Sequence, residues 1–366
     1  MAAGWPSHRK VASDCSSSKG EWGMNRDTVR QIAVWVGVIA TIVVNGLANA
    51  LPINNQLTGD IANQYKGENL WLPAGYVFSI WGLIYIGLIA YAIYQSLPRQ
   101  RENPRLRRIG WPFVLSCLAN IIWLLFFHYN QFPLSMVAML VLLVALIAVY
   151  LLLGRRAGVP AGERWAVHLP FSIYLGWITV ATVANAAHVF VHAGWKGEPL
   201  GALAWLIIMY LVALVLAAMM ALLRHDVAYL LVLVWAFAGI AVNYSSMTGV
   251  LISSVVAALV VVMLAVLVAA RAALEFVEKR CGLRRCAPLV PGPADHRHCL
   301  NDIVRFCSAP CIGKITAEAY AERVAEARAF LEGKRPAALQ ELEGAMLEAA
   351  RARQFEKAAG LRDSLR

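Results

Sequence analysis

Between residues 31 and 270 long apolar runs alternate with short polar ones. Eight runs, at about 31–51, 74–96, 111–128, 134–153, 169–191, 201–223, 227–244 and 248–270, contain no Asp, Glu, Lys or Arg. Each is close to the ~20 residues that cross a bilayer's hydrocarbon core. Backbone donors and acceptors placed there must be satisfied within the chain, so the runs predict helices. Beyond 271 the period changes. Thr316 is placed to cap a helix whose face is Tyr320, Val324, Ala327 and Leu331 and which Gly333 stops. Pro336 opens a second helix faced by Leu339, Leu342, Met346 and Ala350, and a break near Arg353 and Gln354 leads to Phe355, Ala358, Ala359 and Leu365. The expected fold is all-α: a polytopic membrane bundle of about eight helices with a small helical tail.

Charge follows the same division. Lys and Arg number five in residues 1–30, eleven in 31–270 and seventeen in 271–366, against three, six and thirteen Asp and Glu. The overall net charge of +11 is thus spread over unlike pieces, and the tail is too mixed in sign to form a nucleic-acid stripe. A hydrophobic content of 60% with 15% charged residues excludes an ordinary soluble enzyme. The first run is too long for a signal-peptide core and closes on no cleavage site. Residues 1–30 read as a polar, disordered leader, with Met24 as a second candidate start. Counting Lys and Arg loop by loop from the N-terminus gives five, one, five, zero, three, one, one and zero before the basic tail. The richer segments alternate, so the positive-inside rule places both termini in the cytoplasm of a bacterial inner-membrane protein.

Five of the seven cysteines, Cys281, Cys286, Cys299, Cys307 and Cys311, fall in the tail. A reducing compartment disfavours disulfides there. Cys286, Cys299, Cys307 and Cys311 are spaced C-x12-C-x7-C-x3-C. Four thiolates suit zinc or an iron–sulfur cluster, and spacing does not choose between them. Cys281 has no assigned role. Within the runs, Trp81 and Tyr85 are four apart, Asn120 and Trp123 three apart, and Asn185 and His188 three apart with Trp177 two turns earlier. Intramembrane amides either bind helices together or orient a ligand in an aromatic-walled pocket. His188 and His192 have i,i+4 spacing but lack a third metal ligand. No sequence motif for a catalytic triad, phosphate loop or dinucleotide site is present, so an enzyme is not expected.

Three of these stretches carry a resemblance. "WLPAGYVFSIWGLIYIGLIAYAIY" (71–94), "LANIIWLLFF" (118–127) and "YLGWITVATVANAA" (174–187) resemble, in order, helix signatures of the TspO/translocator family of tryptophan-rich sensory proteins. The resemblance covers about 35–193, five spans. It implies a five-helix fold with a bundle pocket for porphyrins and other flat hydrophobic ligands, serving sensing or transport. By position the pocket residues it implies are Trp71, Phe78, Trp81, Tyr85, Asn120, Trp123, Trp177 and Asn185. A long first loop (52–73) and three further spans (194–270) mark an extended relative.

The tail is similar to a different family. "ALEFVEKRCGLRRCAP" and "CLNDIVRFCSAPCIGKITAEAYAERVAEARAFLEG" resemble the mid-region of the excinuclease subunit UvrC, and "LQELEGAMLEAARARQFEKAAGLRDSLR" (339–366) resembles its UVR motif. The resemblance implies a four-iron–four-sulfur cluster on Cys286, Cys299, Cys307 and Cys311. It also implies a helix pair (336–366) that docks a UvrB-like protein through Leu342, Met346, Phe355 and Ala359. Neither UvrC nuclease is expected in this chain, so the tail (271–366) is expected to cut no DNA. Three readings follow: a ligand-binding membrane protein with an appendage, a membrane-tethered recruiter of a UvrB-like partner, or an accidental join of two genes.

Overall fold

The computed structural model describes residues 26–154, 159–195, 197–284, 307–333 and 337–365. The membrane part consists of α1 (Arg26–Ala50), a short α2 (Thr58–Asn63), α3 (Ile80–Ser96), α4 (Pro104–His128), α5 (Phe132–Leu153), α6 (Leu169–His192), α7 (Ala202–Met219), α8 (Val227–Asn243) and α9 (Thr248–Arg280). Seven of the candidate spans are long and apolar enough to cross a membrane; α8, at 17 residues, is shorter. The chain is a multi-pass membrane protein. Its helices bury one stripe and present another to lipid. Along α1, Val34, Val38, Asn45 and Ala48 are buried, while Val36, Ile39 and Val43 are exposed.

The apolar pattern located the helices but not their irregular joints. The loop at 52–73 contains α2, whose Ile61 packs on Phe127 and Phe132. Residues Gly75–Ser79 form a 3-10 turn ahead of α3 rather than part of an α-helical span. The last run does not stop at 270. It continues unbroken to Arg280, so the transition to the tail lies inside one helix.

The five helices α1, α3, α4, α5 and α6 pack around one another, with α4 between α1 and α5 and with α6 against both α3 and α5. One end of this bundle is pinned by arginines. The buried Arg30 donates to the carbonyls of Leu106 at 2.9 Å and Arg101 at 3.1 Å. Arg107 pairs with Asp27 through Nε and Nη2. Gly110 lets Arg30 pass, since a Cβ there would lie 2.7 Å from its Cγ and Cδ.

The added helices are built into this bundle. Asp226 caps α8 by accepting from the amide of Tyr229, and its other carboxylate oxygen accepts from Tyr150 on α5 and Ser172 on α6. At the opposite end of α8 the contacts are with irregular backbone at 69–77. Trp235 Nε1 donates to the Val77 carbonyl at 3.0 Å, Asn243 to Leu72 at 2.9 Å and the Tyr244 hydroxyl to Asn69 at 2.8 Å, while the Ala74 amide donates to Gly239. Non-helical backbone at membrane depth needs such partners, and α8 supplies them.

In the tail, α10 (Ala317–Leu331) is capped by Thr316 as expected, and Gly333 follows it at φ +69°. Its covered face is Tyr320, Ala327 and Phe330, against Val277 and Cys281 at the end of α9. Val324 and Leu331, expected on that face, are exposed; the stripe runs one position to the side, where Phe330 meets Phe276. Cys281 is a packing residue, and burial pushes its thiol pKa up. Two further helices, α11 (Ala337–Arg351) and α12 (Phe355–Leu365), form a hairpin through a turn that puts Arg353 at φ +58°.

Candidate functional site

At the end of the bundle away from the arginines, α1, α2, α3 and α4 enclose a cavity of about 430 Å³. Its two sides differ in chemistry. Asn45, Asn49, Thr58 and Asn63 come from α1 and α2, while Phe78, Trp81, Tyr85 and Trp123 come from the 75–79 turn, α3 and α4. A narrower cavity of about 70 Å³ shares Thr58, Pro73, Phe78, Trp81 and Trp123 with it and reaches Trp177, Asn185 and His188 on α6. No Asp, Glu, Lys or Arg lines either one among the described residues.

Helical spacing explains the aromatic wall. Trp81 and Tyr85, one turn apart, stack with ring centroids 5.7 Å apart. Trp81 also meets Trp177 edge-on at 6.4 Å, and Phe78 meets Trp177 at 5.7 Å. Trp123 stacks on Phe127, which Ile61 of α2 covers from above. Six of the eight residues expected at a pocket thus lie on these two cavities: Phe78, Trp81, Tyr85, Trp123, Trp177 and Asn185.

The other two lie elsewhere. Asn120 is buried behind the wall, where its Oδ1 accepts from Asn45 Nδ2 at 2.7 Å; it joins α4 to α1 rather than facing the cavity. Trp71 is 1% exposed, packs on Tyr210 and Phe237, and donates to the Val180 carbonyl at 3.3 Å. Its ring lines a separate apolar cleft of about 710 Å³ between α6 and α7. Val180 borders both the narrow cavity and that cleft. Asn185 does both jobs, bordering the narrow cavity while its Oδ1 accepts from Ser135 on α5.

Residues that the motif reading passed over are the polar side of the cavity, Asn45, Asn49, Thr58 and Asn63. Asn45 and Asn49 lie in or beside the first apolar run, and their cost in hydrocarbon was a usable signal. Of the histidine pair, His192 Nδ1 lies 2.7 Å from the Tyr65 hydroxyl and His188 packs among Tyr65, Phe127 and Phe132. No group of three or more His, Cys, Asp and Glu is placed to hold a metal among the described residues.

In the tail, Cys286 and Cys299 lie outside the described residues. Cys307 is buried and Cys311 half-buried, one on each side of Ala309. The Ala309 amide donates to Cys307 Sγ at 3.4 Å, the kind of bond that stabilises a metal-bound thiolate. Phe355 is 69% exposed; Met346 and Ala359 are half-buried, and the side chain of Leu342 lies outside the described residues.

Comparison with known proteins divides the chain in the same way. A family model described as TSPO-like protein matches residues 31–270. A second, described as the middle domain of the UvrC/Cho excinuclease, matches 259–330 and overlaps the first within α9. Curated relatives match the tail. UvrABC system protein C of Thermus thermophilus is 51% identical over 67 residues, 18% of this chain and 11% of the relative. The protein of the same name from Methanosarcina barkeri is 40% identical over 91 residues, 25% and 17% of the two chains. That from Gemmatimonas aurantiaca is 36% identical over 97 residues, 26% and 16%. The chain thus spans under a fifth of the length of these relatives. No solved structure matches.

Proposed function

Because the chain belongs to the TSPO-like protein family, we propose that it is a membrane protein that binds a flat hydrophobic ligand, porphyrin-like in shape, for sensing or transport. The observation that carries this reading is the amphipathic cavity, with Trp81, Tyr85 and Trp123 on one side and the amides of Asn45, Asn49 and Asn63 on the other. Aromatic faces suit a planar skeleton, and neutral amides suit polar groups on its edge. Binding rather than catalysis is the assigned role. The arginine-rich loops favour the bacterial cytoplasmic membrane with both termini in the cytoplasm. Titration of the protein in lipid nanodiscs with protoporphyrin dimethyl ester tests the reading. Saturable quenching of tryptophan fluorescence is expected, weakened about tenfold or more by Trp81→Ala. Quenching no greater than in protein-free discs would remove it.

The tail supports a second role, recruitment of a UvrB-like partner to the membrane. The exposed Phe355 at the open turn of the α11–α12 hairpin favours it. In the same reading Cys286, Cys299, Cys307 and Cys311 hold a four-iron–four-sulfur cluster, with zinc as the alternative. The amide aimed at Cys307 Sγ fits either metal centre.

A further inference from the structure

The narrow cavity carries buried polar atoms without partners. The indole N–H groups of Trp123 and Trp177 are buried and have no acceptor, and His188 Nε2 is likewise without a partner. All three residues line the narrow cavity; Trp177 and His188 are 2% and 3% exposed. Two acceptors on the narrow cavity are already engaged. Asn185 Oδ1 takes the Ser135 hydroxyl, and Asn69 Oδ1 takes the Trp71 amide. An indole nitrogen can only donate. Buried donors are normally satisfied, so two orphans on one cavity point to an acceptor brought in from outside. Among the described residues the same walls hold no Lys or Arg, and His188 is the titratable group of the narrow cavity. A carboxylate entering here would be a buried charge without a counter-ion, which is strongly disfavoured.

Resting on the flat-ligand reading above, we propose that the cavity selects a neutral planar ligand whose edge carries a carbonyl-type acceptor, seated on the N–H groups of Trp123 and Trp177. It rejects the same skeleton once that skeleton bears a carboxylate. Specificity then comes from donor matching at the narrow end and from a lining without a permanent charge, while the aromatic wall only fixes the plane.

Three probes of one shape separate these claims: anthracene, anthraquinone and anthraquinone-2-carboxylate. Each is titrated into the full chain in nanodiscs at neutral pH and referenced to protein-free discs. Anthraquinone is expected to bind about tenfold more tightly than anthracene, the gain from two hydrogen bonds, and at least tenfold more tightly than the carboxylate. Trp177→Phe keeps the ring and removes the donor. It should cut the preference for anthraquinone over anthracene to about threefold, a ratio in which a change of ring packing common to both probes cancels. Equal binding of anthracene and anthraquinone would overturn the donor assignment. Carboxylate binding as tight as the quinone would overturn the charge selectivity, and that comparison needs no variant. Saturation by none of the three, with failure of the porphyrin ester, would overturn the flat-ligand reading itself.

Discussion

Asn45 and Asn120 face each other across α1 and α4, with Asn45 Nδ2 donating to Asn120 Oδ1 at 2.7 Å and also to the Thr41 carbonyl at 2.8 Å. Removing one partner strands the other, whereas removing both replaces a polar contact by a hydrophobic one. Asn120→Leu is therefore expected to destabilise the protein in detergent by about 0.6–2 kcal/mol. The double variant Asn45→Leu/Asn120→Leu should lie closer to the starting protein than Asn120→Leu does. Thermal unfolding of the set measures both; simple additivity would show that the pair is not coupled. Asn120 was legible as an amide too costly to face lipid, but its partner was not. Periodicity gives the face of a helix and leaves open which neighbour meets it. The same limit applies to Trp71, whose ring packs on Tyr210 and Phe237 from helices beyond the motif and lines the cleft between α6 and α7.

Among the elements, α8 has the least obvious purpose in sequence and a specific one in structure. It is an apolar run slightly too short to cross a bilayer easily, and composition predicts only one more span. In the fold its side chains serve the carbonyls of Asn69, Leu72 and Val77, the irregular segment that leads from α2 into the aromatic wall. Gly239 makes the contact close: a Cβ there would lie 2.2 Å from Val77 Cγ2. Gly239→Ala is expected to cost about 1–3 kcal/mol through overpacking and to raise amide exchange across 69–77. Unchanged exchange in that segment would mean that α8 does not hold the loop. The three resembling stretches mark the cavity, whereas hydrogen bonds that fix one of its walls come from a helix beyond them, inside the 31–270 match.

At the scale of the molecule, two families meet in one chain, and the charge division along the sequence already separates them. The separation was readable because lipid and water demand opposite compositions. The nature of the join was not, because a helix crossing from one solvent into the other shows no break in period. The full chain, purified without oxygen, is expected to contain iron and to retain a UvrB-type protein in pull-down. Phe355→Asp should reduce that capture about tenfold or more and leave quenching by the porphyrin ester unchanged. Zinc in place of iron would displace the cluster assignment, and capture insensitive to Phe355→Asp would remove the docking surface.

The unbroken α9 also sets the tail's orientation. Its last buried membrane contact is at Val268, and the contacts with α10 begin at Phe276 and Val277, with no turn between. Along such a rod each residue advances the azimuth by about 100°. Inserting or deleting a single residue there would leave every apolar contact available in principle and point the tail in another direction. The two families are thus held in phase, and the reading frame fixes an angle as well as a sequence.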